Sequence, residues 1–275
     1  MPTPILRVSA TACSITKKSK MLGSSDKQNH FLKLLLDMGE LMLASGAEVS
    51  RVEESLDRMG RAYGAKGMNA FVITSSIVLT ARFSDETIVT QTRRIEGSGG
   101  NDFIKLEALN ELSRECCASP VPLEELEGRI EELRAIGPSK LKLCLGSMLA
   151  SGAFAVFFGG SLWDGIAAAA VGALVCFMQL RTARYITGAA IVNFILSLIS
   201  GLCIGGLSRL IPLLHRDMIM IGDVMLLIPG VAITCAIRDT MSGDTISGAM
   251  RLIESLVKAA AIAGGFMLAI MLTRG

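Results

Sequence analysis

Charge is scarce in half of this sequence. Of its 27 basic and 25 acidic residues, 37 lie in residues 1–140 and only 15 in residues 141–275. The second part holds charge-free runs of 21 residues (143–163) and 24 residues (185–208). About 20 apolar residues span a bilayer, and clustered runs of this length argue against an ordinary soluble core. Cysteine patterning is also missing. The seven cysteines are scattered, with Cys116 and Cys117 the one adjacent pair, and no spacing fits a zinc site or a disulfide framework. They read as reduced thiols packed as small apolar side chains. His30 and His215, the two histidines, have no partner at metal-ligand spacing. The formal net charge of +2 comes with no concentrated basic face, which excludes the usual nucleic-acid binder. Residues 1–29 lack the apolar core and small-residue cleavage site of a secretory signal. There is no metalloprotease, nucleophile-elbow or phosphate-loop pattern. His215-Arg216-Asp217 echoes a kinase tripeptide without any companion motif. Nothing here points to an enzyme, a metal or another cofactor.

What is present divides at about residue 138. Residues 1–29 are rich in Ser, Thr and Lys and read as a disordered segment, in which Met21 is a second candidate start. Residues 30–138 read as a small α/β domain. Leu32, Leu35, Leu36, Met42 and Leu43 share one face of a helix over 31–44. Ser45-Gly-Ala-Glu48 has the spacing of a capping box, opening a second helix that carries Val49, Val52, Leu56, Met59 and Tyr63 inward and ends at Gly64. Residues 70–83 are rich in β-branched side chains and predict one strand. Ser84–Glu86 is a turn and 87–95 a second strand, making a hairpin. Gly97–Gly100 reads as a flexible loop. Helices follow over about 102–117 and 123–136, and Gly137-Pro138 ends the second.

Residues 139–275 read as an all-α membrane domain of about five helices, at roughly 141–159, 163–180, 186–207, 218–237 and 252–272. The positive-inside rule puts Lys140, Lys142, Arg181, Arg184, Arg238 and Arg251 in the cytoplasm, against Arg209 and Arg216 outside. The α/β domain is then cytoplasmic. Ser197, Gly201 and Gly205 recur every four residues, as a close helix–helix seam or an ordinary glycine-rich span would.

The fourth segment carries Asp223-Val-Met-Leu-Leu-Ile-Pro229-Gly230, an acid and a helix breaker in an apolar stretch. Proline removes a backbone donor and clashes with the carbonyl one turn back, near Met225. Freed carbonyls and carboxylates survive at membrane depth only beside protein or a wet cavity. Asp223 lies about 8 Å from one end of the segment at the helical rise. There it can gate, bind a cation or exchange a proton, or simply reach headgroup water. Glu254 and Lys258, four apart, read as an internal ion pair. Arg238-Asp239, Ser242-Gly243-Asp244, Ser247-Gly248 and Arg251 form a polar link that is either an ordinary loop or a gating element. Asn193 and Gln179 read as helix–helix hydrogen-bond partners.

Two stretches resemble the threonine/serine exporter family. One is Gly39-Glu-Leu-Met-Leu-Ala-Ser-Gly-Ala-Glu48-Val-Ser-Arg51-Val-Glu53. The other runs from Pro229-Gly230 through Ala236-Ile-Arg238-Asp239 to Ser242-Gly243-Asp244 and Ser247-Gly248. The resemblance covers nearly everything from residue 31 onward. It implies a transporter of the bacterial plasma membrane, exporting threonine and serine or, in a related split branch, succinate, driven by the proton-motive force. Full-length members add a second membrane module that this chain lacks up to Gly275, so the resemblance implies a small separate membrane subunit as partner. Assembly with further copies of the same chain is also compatible with five helices. Carried over by position, the pathway residues would be Pro229, Gly230, Arg238, Asp239, Gly243 and Asp244, with Glu48, Arg51 and Glu53 in the cytoplasmic domain; Asp223 joins the pathway residues on the reading of its own segment.

The leading expectation is a secondary-transporter subunit that exports small carboxylate-bearing metabolites, with Arg238 meeting the carboxylate and Asp223 or Asp239 carrying a proton. The rival is a membrane-anchored sensor or assembly subunit with a ligand-binding cytoplasmic domain. A membrane enzyme comes third, for want of a catalytic constellation.

Overall fold

The fold is described from a computed structural model, covering residues 24–95, 101–137, 139–182 and 188–273. The chain begins with α1 (Ser24–Ala44) and α2 (Val49–Ala62), then three strands, β1 (Gly67–Ile73), β2 (Ser76–Arg82) and β3 (Ile88–Arg94), then α3 (Phe103–Ala118) and α4 (Leu123–Ala135). Apolar helices follow: α5 (Lys140–Phe157), α6 (Leu162–Thr182), α7 (Ala189–Leu210), α8 (Arg216–Leu227), α9 (Gly230–Met241) and α10 (Thr245–Leu272).

In the N-terminal unit the strands form an antiparallel meander in the order β1-β2-β3. β2 alternates as a half-buried strand should, with Ile77, Leu79 and Ala81 inside. Against that face pack Leu32, Leu35, Met38 and Met42 of α1, Val52, Leu56 and Met59 of α2, Leu109 of α3 and Leu126 and Ile130 of α4. Arg93 of β3 bonds Asp37 and Glu40 of α1, and Arg134 of α4 reaches the same Asp37 at 3.1 Å.

Several sequence expectations change. The strand expected over 70–83 is two strands, because Thr74-Ser75 makes a two-residue turn with Ile73 paired to Ser76. A β-branched run has no periodicity to announce such a turn. α1 starts at Ser24, inside the stretch read as disordered; residues 1–23, the Gly97–Gly100 loop and Pro138 lie outside the described residues. The capping box at Ser45–Glu48 does not form. Glu48 itself is the N-cap of α2 and makes no side-chain cap bond. Ser45 belongs to the end of α1, donating its amide to Leu41 at 3.0 Å.

The second half is a bundle of apolar helices. α5, α6, α7 and α10 are each long and apolar enough to cross a membrane, and α8 with α9 makes a fifth span if the bent pair crosses as one. Glycines set how closely they approach. A Cβ on Gly152 of α5 would lie 2.8 Å from the Gly165 carbonyl of α6, and one on Gly201 of α7 would lie 2.6 Å from Ala269 of α10. The small residues of α7 are therefore a packing seam, the closer of the two readings. α10 has 28 residues, so it is about 42 Å long and overreaches a hydrocarbon core of about 30 Å. Its first turns absorb much of the expected polar link: Ser247, Gly248 and Arg251 are helical, and Arg238 and Asp239 close α9. The link shrinks to Ser242-Gly243-Asp244. Gly243 has φ 99°, and Asp244 donates its amide to Asp239 at 2.9 Å. This is a left-handed helix stop that favours glycine.

Candidate functional site

Pro229 ends α8 and starts α9, and the two half-helices meet at 46°. The residue before a proline is pushed to extended backbone, and Ile228 has φ −59° and ψ 128°. Pro229 has φ −78° and ψ 55°, and Gly230 donates its amide to Ile228 across it at 2.8 Å. That is an inverse γ-turn. Pro229 offers no side-chain cap, so the amides of Val231 and Ala232 keep, among the described residues, the unpaired state of a first helical turn.

The far end of α9 meets the N-terminal unit. Arg238 pairs with Glu48. The buried Asp239 accepts from the amide of Val49 at 3.4 Å and lies 3.3 Å from Nε of Arg251, whose Nη2 donates to the Ala47 carbonyl at 2.8 Å. The start of α2 is thus capped by a carboxylate 190 residues away and is held through its backbone by α9 and α10. A negative group there also suits the positive end of α2.

A cleft of about 570 Å³ opens beside this clasp, lined by Glu48, Arg51, Phe103, Gly230, Thr234 and Arg238. Arg51 is exposed at its rim, without an ion pair among the described residues. A second cavity of about 340 Å³ lies along α10, where Arg251, Glu254 and Lys258 face Thr74 and Asn101. Glu254 and Lys258 form the ion pair read from their spacing, at 3.7 Å. Glu53 turns inward instead, accepting from the amide of Val72 at 2.8 Å. Burial, and then the nearby Asp244, hold its carboxyl above the usual glutamate range, although the Val72 bond opposes this.

Asp223 sits apart from the clefts. It is fully buried among α5, α7 and α8, hydrogen-bonded to Ser151 and, at 3.0 Å, to Ser200.

A family model described as "Putative threonine/serine exporter" (ThrE) matches residues 33–273. The chain belongs to the threonine/serine exporter family. It is 26% identical over 252 residues to a protein of Escherichia coli K12 named "Probable succinate transporter subunit YjjP", with 87% of this chain and 94% of that one covered. A protein of the same name from Klebsiella aerogenes is 25% identical over 257 residues, covering 89% and 95%. No solved structure gives a significant match. As an exporter-family member with several membrane-capable helices, the chain is a multi-pass membrane protein.

In this exporter-family chain, the two stretches that carried the resemblance meet in space. Glu48, Arg51, Gly230 and Arg238 share one cleft, Pro229 sets the bend above it, and Asp239 lies buried behind it. Gly243 and Asp244 shape the turn into α10, and Asp223 is not part of the group. Three polar residues escaped the sequence reading. Ser151 and Ser200 look like filler in apolar runs. Asp164 is fully buried, accepting from Ser161 N at 2.7 Å, Ser161 Oγ at 2.8 Å and His215 N at 2.6 Å, with His215 Nδ1 at 2.9 Å. Ser161-Leu-Trp-Asp164 is a working capping box, and its spacing was the available signal.

Proposed function

We propose that this chain is one subunit of a secondary transporter that exports small carboxylate-bearing metabolites, threonine and serine or a dicarboxylate such as succinate, coupled to protons. The observation that carries the reading is the junction cleft. There the first turn of α9, opened by a helix break, lines one cleft with Arg238 and Arg51. Backbone amides at a helix start and a guanidinium are the natural donors for a carboxylate. Family membership and the relatives named as succinate transporter subunits support the same class.

In this reading the N-terminal unit is cytoplasmic. A substrate carboxylate arriving there competes with Glu48 for Arg238. Its binding loosens the clasp, so occupancy is felt by α9 and by the bend at Pro229. Asp223 or Asp239 carries the coupled proton. A small separate membrane subunit completes the transporter, as the word "subunit" in the relatives' names suggests.

The test is transport into proteoliposomes holding the chain with and without its partner subunit. At least one of labelled threonine, serine and succinate moves with the pair, and Arg51→Ala and Arg238→Ala reduce it. Failure of all three compounds to move overturns the substrate class. Unchanged transport in both arginine variants overturns the cleft.

A further inference from the structure

Asp223 sits at the centre of a short chain of hydroxyl and carbonyl contacts. Three contacts at hydrogen-bond distance join five oxygens in the bundle interior. Ser200 Oγ of α7 lies 3.0 Å from Asp223 Oδ2, Ser151 Oγ of α5 bonds Asp223 Oδ1, and the same Ser151 Oγ lies 3.0 Å from the Ala168 carbonyl of α6. Each such contact needs one hydrogen. The two serines bring one apiece, and the carbonyl brings none. An ionised Asp223 leaves two hydrogens for three contacts. Ser151 then faces two acceptors with a single O–H, and one pair of oxygens stands in contact with no hydrogen between them. A carboxylic acid closes the count. Asp223 Oδ1–H donates to Ser151, Ser151 donates to Ala168, and Ser200 donates to Oδ2.

Among the described residues the surroundings offer no other source of charge balance. α8 packs against α5, α6 and α7. Asp223 meets only the two hydroxyls from these elements, and no Lys, Arg or His pairs with it among the described residues. Asp164 of α6, the other buried acid here, is engaged by Ser161 and His215. Nor can the helices part to admit a counter-ion without disturbing tight packing. A Cβ on Gly222 would lie 2.5 Å from the Ser151 carbonyl, and one on Gly172 would lie 2.9 Å from Ser151 Cβ. Asp239 contrasts at each point, since it faces Arg251 and caps Val49.

We infer that Asp223 is the proton-carrying carboxyl of this transporter, neutral in the conformation described, and that Ser151 is its positioning residue, joining the acid on α8 to the Ala168 carbonyl on α6. The inference rests on the transport reading for its purpose and chooses Asp223 over Asp239. Release is a simple transfer. The Asp223 O–H bond breaks, the proton passes to a water molecule admitted as the bundle opens, and a carboxylate remains. The Ser151 hydroxyl then turns from Ala168 to Oδ1, so loss of the proton also releases a tie between α5 and α6.

Infrared difference spectroscopy on the full chain in lipid tests this directly, because a protonated carboxyl has a C=O stretch well separated from that of a carboxylate. Wild type shows such a band at neutral pH, and Asp223→Asn, whose amide can keep all three contacts, lacks it. In Ser151→Ala the band moves to higher wavenumber, since the acid proton has lost its acceptor. In proteoliposomes Asp223→Asn transports without stimulation by a pH gradient. A wild-type spectrum with no band sensitive to either substitution overturns the inference, and so does a Ser151→Ala band at the wild-type position. The spectra need no substrate, so failure of the transport assay alone removes the proposed function and leaves the neutral Asp223 standing.

Discussion

Asp239 on α9 accepts a hydrogen bond from the backbone amide of Val49, the first residue of α2, at 3.4 Å. One carboxylate thus serves as the cap of a helix in the N-terminal unit and as the partner of Arg251 in the helical unit. Asp239→Ala removes both and strands a mostly buried guanidinium. The expected loss is about 3 kcal/mol, the scale for breaking a buried pair from one side. Asp239→Asn keeps an acceptor for Val49 and falls between wild type and alanine. Denaturant melts in detergent, with protease cutting near residues 45–49 as a second readout, measure the order.

Glu48 and Arg238 lie nearer the surface of the same junction. Their pairing is expected to matter to movement more than to stability, since exposed pairs add little to folding. Arg238→Glu places two carboxylates together and should cut export by more than about tenfold, as a like-charge contact opposes closure. The exchanged double variant, Glu48→Arg with Arg238→Glu, should restore the clasp while presenting altered charge to substrate. Cross-linking between 48 and 238, alongside transport, separates recovery of contact from recovery of export.

Gly248 sets the approach of α10 to α9. A Cβ there would meet Thr240 Oγ1 at 2.1 Å and the Ala236 carbonyl at 2.7 Å. Gly248→Ala should cost about 1–3 kcal/mol, the usual cost of overpacking. Gly206 on α7 has open space at the same position, so Gly206→Ala should be neutral or gain up to about 1 kcal/mol from helix propensity. Thermal melts of the two variants make a matched pair.

Glu53 supplies a pH signature outside the membrane spans. Burial, then Asp244, raises its carboxyl in the folded chain, against the Val72 bond. A raised acid favours the folded state in full below the unfolded value of about 4.3. That contribution is lost as pH rises through the folded value. Wild type should therefore gain stability on acidification from neutrality toward about pH 4.3, and Glu53→Gln should lose this part of the slope. Melting temperature against pH for both proteins checks the sign.

The break at Pro229 was legible because proline acts through covalent chemistry: a missing N–H and a fixed ring need no tertiary context. The apolar spans were legible for a similar reason, since length and lack of charge are local properties. The strand split at Thr74-Ser75 was hidden by residues that suit either a strand or its turn. Ser45–Glu48 misled because a capping spacing does not say which acid will serve: the cap came from Asp239, which no local pattern could nominate. Ser161–Asp164 had the same spacing and did form the box, because it opens an apolar helix directly. For the candidate site, the resemblance named most of the cleft. Ser151 and Ser200 were invisible, since a lone serine in an apolar helix declares nothing until its neighbour on another helix is known.

The grip on the start of α2 falls on main-chain atoms, the Ala47 carbonyl and the Val49 amide. Peptide groups do not mutate. Apart from Glu48, which pairs with Arg238, side chains on that turn can drift widely between relatives while the helical unit still finds the same two handles. N-terminal units from distant homologues should therefore dock on this bundle as working chimeras, provided the turn keeps its shape and Arg251 and Asp239 remain.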